Sequence, residues 1–96
     1  MYNDLDPLLH SQLRLAIISM LVASEKVEFT YIQSETKAAA GNISIQVKKL
    51  EDAGYIKVEK TFKNNYPNTM LSITDKGVKA FESYVNDLKK YLNPKK

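Results

Sequence analysis

Ninety-six residues, 44% hydrophobic and 26% charged, are enough for one domain with a modest core of its own. The absence of cysteine excludes a disulfide framework and any thiolate metal site. The net charge is +3, and all of the excess lies between Lys37 and Lys63, where six lysines meet three acids. A positive field confined to one stretch favours a polyanionic partner, although an excess of this size also arises by chance.

Met1 to His10 reads as an arm. Pro7 pushes Asp6 toward an extended conformation. Leu5, Leu8 and Leu9 are apolar for a free tail and call for cover, by the chain's own core or by another subunit. The arm has two aspartates and no basic segment, unlike a secretory signal. The apolar run Leu15 to Ser24 is too short to span a bilayer, so no membrane partner and a cytoplasmic location are expected.

A first helix is expected from Ser11 to Ala23, with Ser11 as N-cap and Leu13, Ile17, Met20 and Leu21 on one face. Leu15 and Ile18 widen that face beyond the needs of a surface helix. Ser24 to Glu28 reads as a polar connection. Thr30 and Gln33 match a capping box, which predicts a short second helix from Thr30 to about Lys37. KAAAG, residues 37–41, is a turn of small residues that lets two helices approach closely.

The next helix, about Ala40 to Ala53, is the centre of the reading. Ile43, Val47 and Leu50 form an apolar stripe that Ala53 extends, and Gly54 stops the helix. Its other face carries Asn42, Ser44, Ile45, Gln46, Lys48 and Lys49, with Gly41 at its start. Amides and hydroxyls reach base edges in a major groove, and lysines behind them, with Lys37, meet phosphates. An ordinary solvated polar face is the alternative. A short helix, a tight turn and a longer helix with polar tips form a helix-turn-helix.

After Gly54 the period changes to two. Tyr55 to Phe62 reads as a strand, residues 63–68 as a turn, and Thr69 to Thr74 as the returning strand. Thr74 and Asp75 then open a last helix that ends at Leu92, before Asn93 and Pro94. Its stripe of Val78, Phe81, Tyr84, Val85, Leu88, Tyr91 and Leu92 is long for a small domain to cover alone. A homodimer is expected, with Leu5, Leu8, Leu9, Tyr84, Leu88, Tyr91 and Leu92 in its interface. Residues 75–92 are its dimerisation helix. Pro94 to Lys96 is expected to fray.

The order of elements, with the phrases LDPLLHSQLRLAII, GNISIQVKKLEDAGYIKVEK and PNTMLSITDKG, resembles the small stand-alone winged-helix transcription regulators related to the MarR group. The resemblance covers Leu5 to Leu92. It implies an α+β, mainly helical fold: a winged helix-turn-helix with a two-stranded wing and a long C-terminal helix. It also implies a homodimer bound to double-stranded DNA. Related sequences carry a polar residue in place of Ile45 and arginines around the wing proline, where this chain has Tyr66 and Asn68. Wing contact would rest instead on Lys60, Lys63, Asn64, Asn65, Tyr66 and Asn68.

The sequence carries no catalytic pattern. His10 is the only histidine and reads as structural. The acid pairs Asp4/Asp6 and Glu51/Asp52 lack a nucleophile or a pocket. No zinc-type cluster or phosphate-binding glycine loop is present, so neither an enzyme nor a cofactor is expected. No effector site is recognisable beyond a generic cleft between the first and last helices. The alternative function is a winged-helix protein-interaction module, which Ile45 and the arginine-poor wing would suit.

Overall fold

A computed structural model describes residues 2–93; the expectations for Met1 and for Pro94 to Lys96 lie outside them. The elements run α1 (Gln12–Ser24), β1 (Lys26–Glu28), α2 (Phe29–Thr36), α3 (Ala40–Asp52), β2 (Ile56–Lys63), β3 (Tyr66–Ile73) and α4 (Asp75–Leu92). The strands form one antiparallel sheet in the order β1-β3-β2. The expected winged helix-turn-helix is present, with one strand more at its base.

That strand, β1, pairs Val27 with Leu71 and buries Val27, inside the stretch expected to be a polar connection. It also removes the expected capping box. The chain passes from β1 directly into α2, so Glu28 takes the N-cap position and Thr30 lies inside the helix. The Glu28 side chain does not cap; its carboxylate accepts from Lys63 Nζ at 3.0 Å and Asn68 Nδ2 at 3.4 Å. This ties the base of α2 to the wing.

The wing turn is tighter than expected. Asn64 and Asn65 both adopt positive φ, 53° and 69°, and form a two-residue connection of the kind that suits a hairpin's twist. Tyr66, Pro67 and Asn68 therefore belong to β3. Pro67 is tolerated because β1 reaches only to Met70, leaving β3 a neighbour on one side at that height.

The core collects Ile17, Ile18 and Leu21 from α1, Ile32 from α2, Ile43, Val47 and Leu50 from α3, Ile56 and Leu71 from the sheet, and Tyr84 from α4. Each aliphatic side chain so buried contributes roughly 1.5–3 kcal/mol relative to exposure. Leu9 is also fully buried here, with Leu5 and Leu8 packed against the cluster.

Two of the expected interface residues are corrected by this packing. Leu9 and Tyr84 lie inside the chain's own core, because the arm folds back along α4. Asp6 makes the bend: its Oδ1 accepts from Leu8 N at 2.9 Å, and its backbone carbonyl accepts from Leu9 N and His10 N. Tyr2 then stacks on Tyr91 with ring centroids 4.9 Å apart. Asn3 donates to Asp87 at 2.9 Å, and the Tyr91 hydroxyl donates to the Asn3 carbonyl at 2.8 Å. His10 Nδ1 meets the Tyr84 hydroxyl at 3.0 Å, a structural role.

Candidate nucleic-acid interface

Three contacts aim α3. Its apolar stripe, Ile43, Val47 and Leu50, is buried, which turns the opposite face outward. Lys37 takes a left-handed conformation (φ 59°) and closes α2, its N–H reaching the Gln33 carbonyl at 2.8 Å. At the far end Gly54 (φ 81°) releases the chain into β2.

The outward face has the expected composition. Gly41, Asn42, Ser44, Ile45, Lys48 and Lys49 are exposed, and Lys37 is exposed beside them. Ile45 is 57% exposed, with no share in the core. A side chain at Gly41 would meet nothing within 4 Å, so packing does not require glycine there. Ala39 precedes the helix and supplies no side-chain cap, so the first-turn N–H groups are left to solvent or to a ligand.

Gln46 differs. It is half-buried, and its Oε1 accepts from Arg14 Nη1 while its Nε2 donates to Asn42 Oδ1 at 3.0 Å. Arg14 also donates from Nε to the Leu8 carbonyl at 2.6 Å, so one guanidinium joins arm, α1 and α3. Sequence reading missed this residue. The available signal was its being the chain's only arginine, a side chain suited to fixed, multiply bonded sites.

The lysines are not equivalent. Lys48 lies 3.2 Å from Asp52, and this hydrogen bond, with the nearby acids, raises its pKa. Lys63 pairs with Glu28 at 3.0 Å, and that contact lowers the Glu28 pKa. Lys37, Lys49 and Lys60 form no ion pair among the described residues. In the wing, Asn64, Asn65 and Tyr66 are exposed, whereas Asn68 is half-buried and held toward Glu28. Phe62, not singled out in the sequence, is 77% exposed at the tip and pairs across the hairpin with Pro67.

The corner behind α3 is clasped by the arm. The Tyr55 hydroxyl donates to Asp6 Oδ2 at 2.6 Å. Burial first, and then the Asp6 carboxylate, push the Tyr55 pKa up to about 12. The fold thus favours the neutral phenol, whose unfolded counterpart titrates near pH ~10. The stabilisation is full below about pH 10 and is lost as the pH rises toward the folded value. Tyr55→Phe should be less stable than the parent at neutral pH but lose stability less steeply across that window. Denaturant titrations at stepped pH check this; equal slopes would remove the clasp.

The cleft expected between the first and last helices is present where the end of α1 faces the start of α4, with Val22, Glu25, Ile73 and Val78 in its walls. Among the described residues no three His, Cys, Asp or Glu side chains converge as metal ligands. No described helix is long and apolar enough to cross a membrane.

The family described as "Winged helix DNA-binding domain" matches residues 13–92. An uncharacterized protein of Methanocaldococcus jannaschii is 30% identical over 79 residues, 82% of this chain and 86% of that one. A transcriptional regulator homologue from Pyrococcus horikoshii OT3 is 28% identical and superposes with a TM-score of 0.84, over 91% of this chain and 86% of that one. Bacillus subtilis PadR, solved in complex with operator DNA, has the same fold at 24% identity and a TM-score of 0.69, over 78% of this chain and 48% of its own. The chain belongs to the winged helix DNA-binding domain family.

Proposed function

We propose that this chain is a homodimeric regulator that reads specific sequences in double-stranded DNA, with α3 of each subunit in a major groove. The observation that carries the reading is the outer face of α3. It combines an unobstructed glycine, short polar side chains and an exposed isoleucine, with exposed lysines around them. Asn42 and Ser44 face bases, Ile45 faces a thymine methyl, and Lys37, Lys48 and Lys49 face phosphates. Gln46 acts from behind Asn42. Lys60, Lys63, Asn64, Asn65 and Tyr66 lie along the flanking backbone. That PadR, which shares the fold, was solved with operator DNA supports a DNA partner.

The whole chain serves as one DNA-binding domain whose last helix pairs the subunits. Leu92 is 69% exposed, Tyr91 44% and Tyr2 54%, an apolar cluster at the end of α4 that a partner would cover. Leu88 borders it. Two-fold pairing there calls for a roughly palindromic operator with half-sites about one helical turn apart. A cytoplasmic location follows from this role.

Selection from a random duplex library, followed by titration at several salt concentrations, tests the reading. A shared sequence and a steep salt slope are expected; weak, salt-insensitive retention would sink it. The second reading, a protein-interaction module, draws on the exposed Phe62, Tyr66 and Ile45, and that outcome would favour it. Sedimentation tests the assembly. The parent should form dimers at micromolar concentration and Leu92→Asp should dissociate them. Leu88→Asp is a poorer probe because Leu88 packs on the core. A monomeric parent would remove both the interface and the palindrome.

A further inference from the structure

We propose that Arg14 fixes the polarity of the amide pair on α3, so that Asn42 turns a hydrogen-bond donor outward and selects guanine. The inference rests on reading α3 as the base-contacting helix. It follows from what each group can donate and accept. A guanidinium has five N–H donors and no acceptor. Beside Arg14, Gln46 must therefore present its oxygen, as it does to Nη1. The Gln46 nitrogen then points the other way, along the helix, and donates to Asn42 Oδ1 at 3.0 Å. With its oxygen engaged, Asn42 presents Nδ2 to the exterior.

The rest of the environment holds this order in place. Arg14 cannot turn away freely, because its Nε is held by the Leu8 carbonyl at 2.6 Å. Gln46 is half-buried and one turn from Asn42, so both amides lie on the flank of α3 nearest α1. Asn42 is exposed and one turn nearer the tip of the helix.

An asparagine free to use both atoms suits adenine, whose N6 donates and N7 accepts. An asparagine whose oxygen is turned inward to Gln46 and whose nitrogen faces out suits a base edge made of acceptors. Guanine offers two side by side, N7 and O6, whereas adenine would set its N6 donor against the amide nitrogen. Arg14 is thus a positioning residue: it touches no base and acts through Gln46 and Asn42.

The test uses the full-length chain and duplexes derived from the selected operator, changed one base pair at a time. The parent should prefer guanine over adenine at the pair facing Asn42 by about fivefold or more. Asn42→Ala should abolish the preference at that pair and at no other. Gln46→Glu keeps the Arg14 contact but supplies only acceptors, so Asn42 must turn its nitrogen inward and its oxygen out. The preference should then move from guanine to a base presenting a donor, adenine or cytosine. Arg14→Met should flatten the preference and Arg14→Lys should retain it. Overall affinity will change in several of these variants, so the readout is the ratio between duplexes.

A parent that binds no sequence selectively would overturn both this inference and the function it rests on. A selective parent whose preference survives Gln46→Glu or Asn42→Ala unchanged would overturn this inference alone. If Arg14→Met fails to fold, the position 46 and 42 variants still decide.

Discussion

Gly77→Ala is expected to destabilise the protein by roughly 2 kcal/mol, the middle of the range for forcing atoms into a packed site. For a domain of this size that lowers Tm by about 8–16 °C. Gly77 lies in the first turn of α4, where alanine would ordinarily be the better helix former by up to about 1 kcal/mol. Here an added Cβ would stand 2.2 Å from the Tyr55 carbonyl oxygen and 2.8 Å from Ile73 Cγ1. The backbone oxygen cannot retreat easily. It accepts from Thr74 N at 3.0 Å, and the Thr74 hydroxyl binds the same corner while accepting from Gly77 N at 3.0 Å. Gly41→Ala is the matched control: its Cβ meets nothing, so helix propensity acts alone and the variant should be as stable as the parent or slightly more so. Thermal melts of the two variants should therefore move in opposite directions or, at the least, differ by several degrees. Equal melts would mean that α4 does not seat on the Tyr55 carbonyl. If α3 binds DNA, Gly41→Ala should also weaken binding while leaving the fold intact.

The same glycine marks a limit of sequence reading. PNTMLSITDKG supported a resemblance, and Thr74 as N-cap could be read from its type; it does accept from the Gly77 N–H. That the glycine is needed for contact with the Tyr55 carbonyl, just before β2 and some twenty residues earlier, has no local signature. The long periodic elements were legible for the opposite reason. The stripes of α3 and α4 repeat over three turns or more, so α4 was expected to end at Leu92, as observed, and α3 ends within a residue of its expected limit. β1 spans three residues, too few for a period of two to show. The capping box failed because Glu28, one strand residue earlier, already occupies the turn into α2.

For the arm, leucine content showed that cover was needed but not who supplied it. The answer depends on Asp6, whose carboxylate bends the chain and clasps Tyr55 across 49 residues of sequence. Once the arm is folded back, Leu9 belongs to the core, and of the apolar stripe on α4 the terminal Tyr91 and Leu92 stay exposed. Along α3, exposure was legible from helical period for all the candidate residues but Gln46. Its amide reads in sequence as solvated, and only the packing of α1 against α3 brings Arg14 to it. Sequence also counts every lysine alike, whereas the fold pairs some with acids.

That inequality sets the largest effect expected on binding. Replacing Lys37, Lys49 and Lys60 together with alanine should flatten the dependence of log K on log salt by about 2.7 per subunit, since each lost phosphate contact removes about 0.9. The three are exposed and form no ion pair among the described residues, so each can release a counterion from DNA in full. Lys63 is different. Its charge is already met by Glu28 at 3.0 Å, and on binding DNA it would leave one anion for another. Lys63→Ala should flatten the slope less than Lys60→Ala does, although both side chains belong to the same wing strand. Lys48 falls between them: its pair with Asp52 is 3.2 Å long but both side chains are well exposed, and such surface pairs are weak. The measurement is a set of binding isotherms for the parent, the triple variant and the single variants at four or more salt concentrations, on the operator and on an unrelated duplex. The triple variant should lose affinity for both duplexes in similar proportion, because phosphates carry no sequence. A triple variant with the parent's slope would remove these lysines from the DNA contact. Equal slopes for Lys60→Ala and Lys63→Ala would show instead that the Glu28 pair opens on binding, releasing Lys63 to the phosphates.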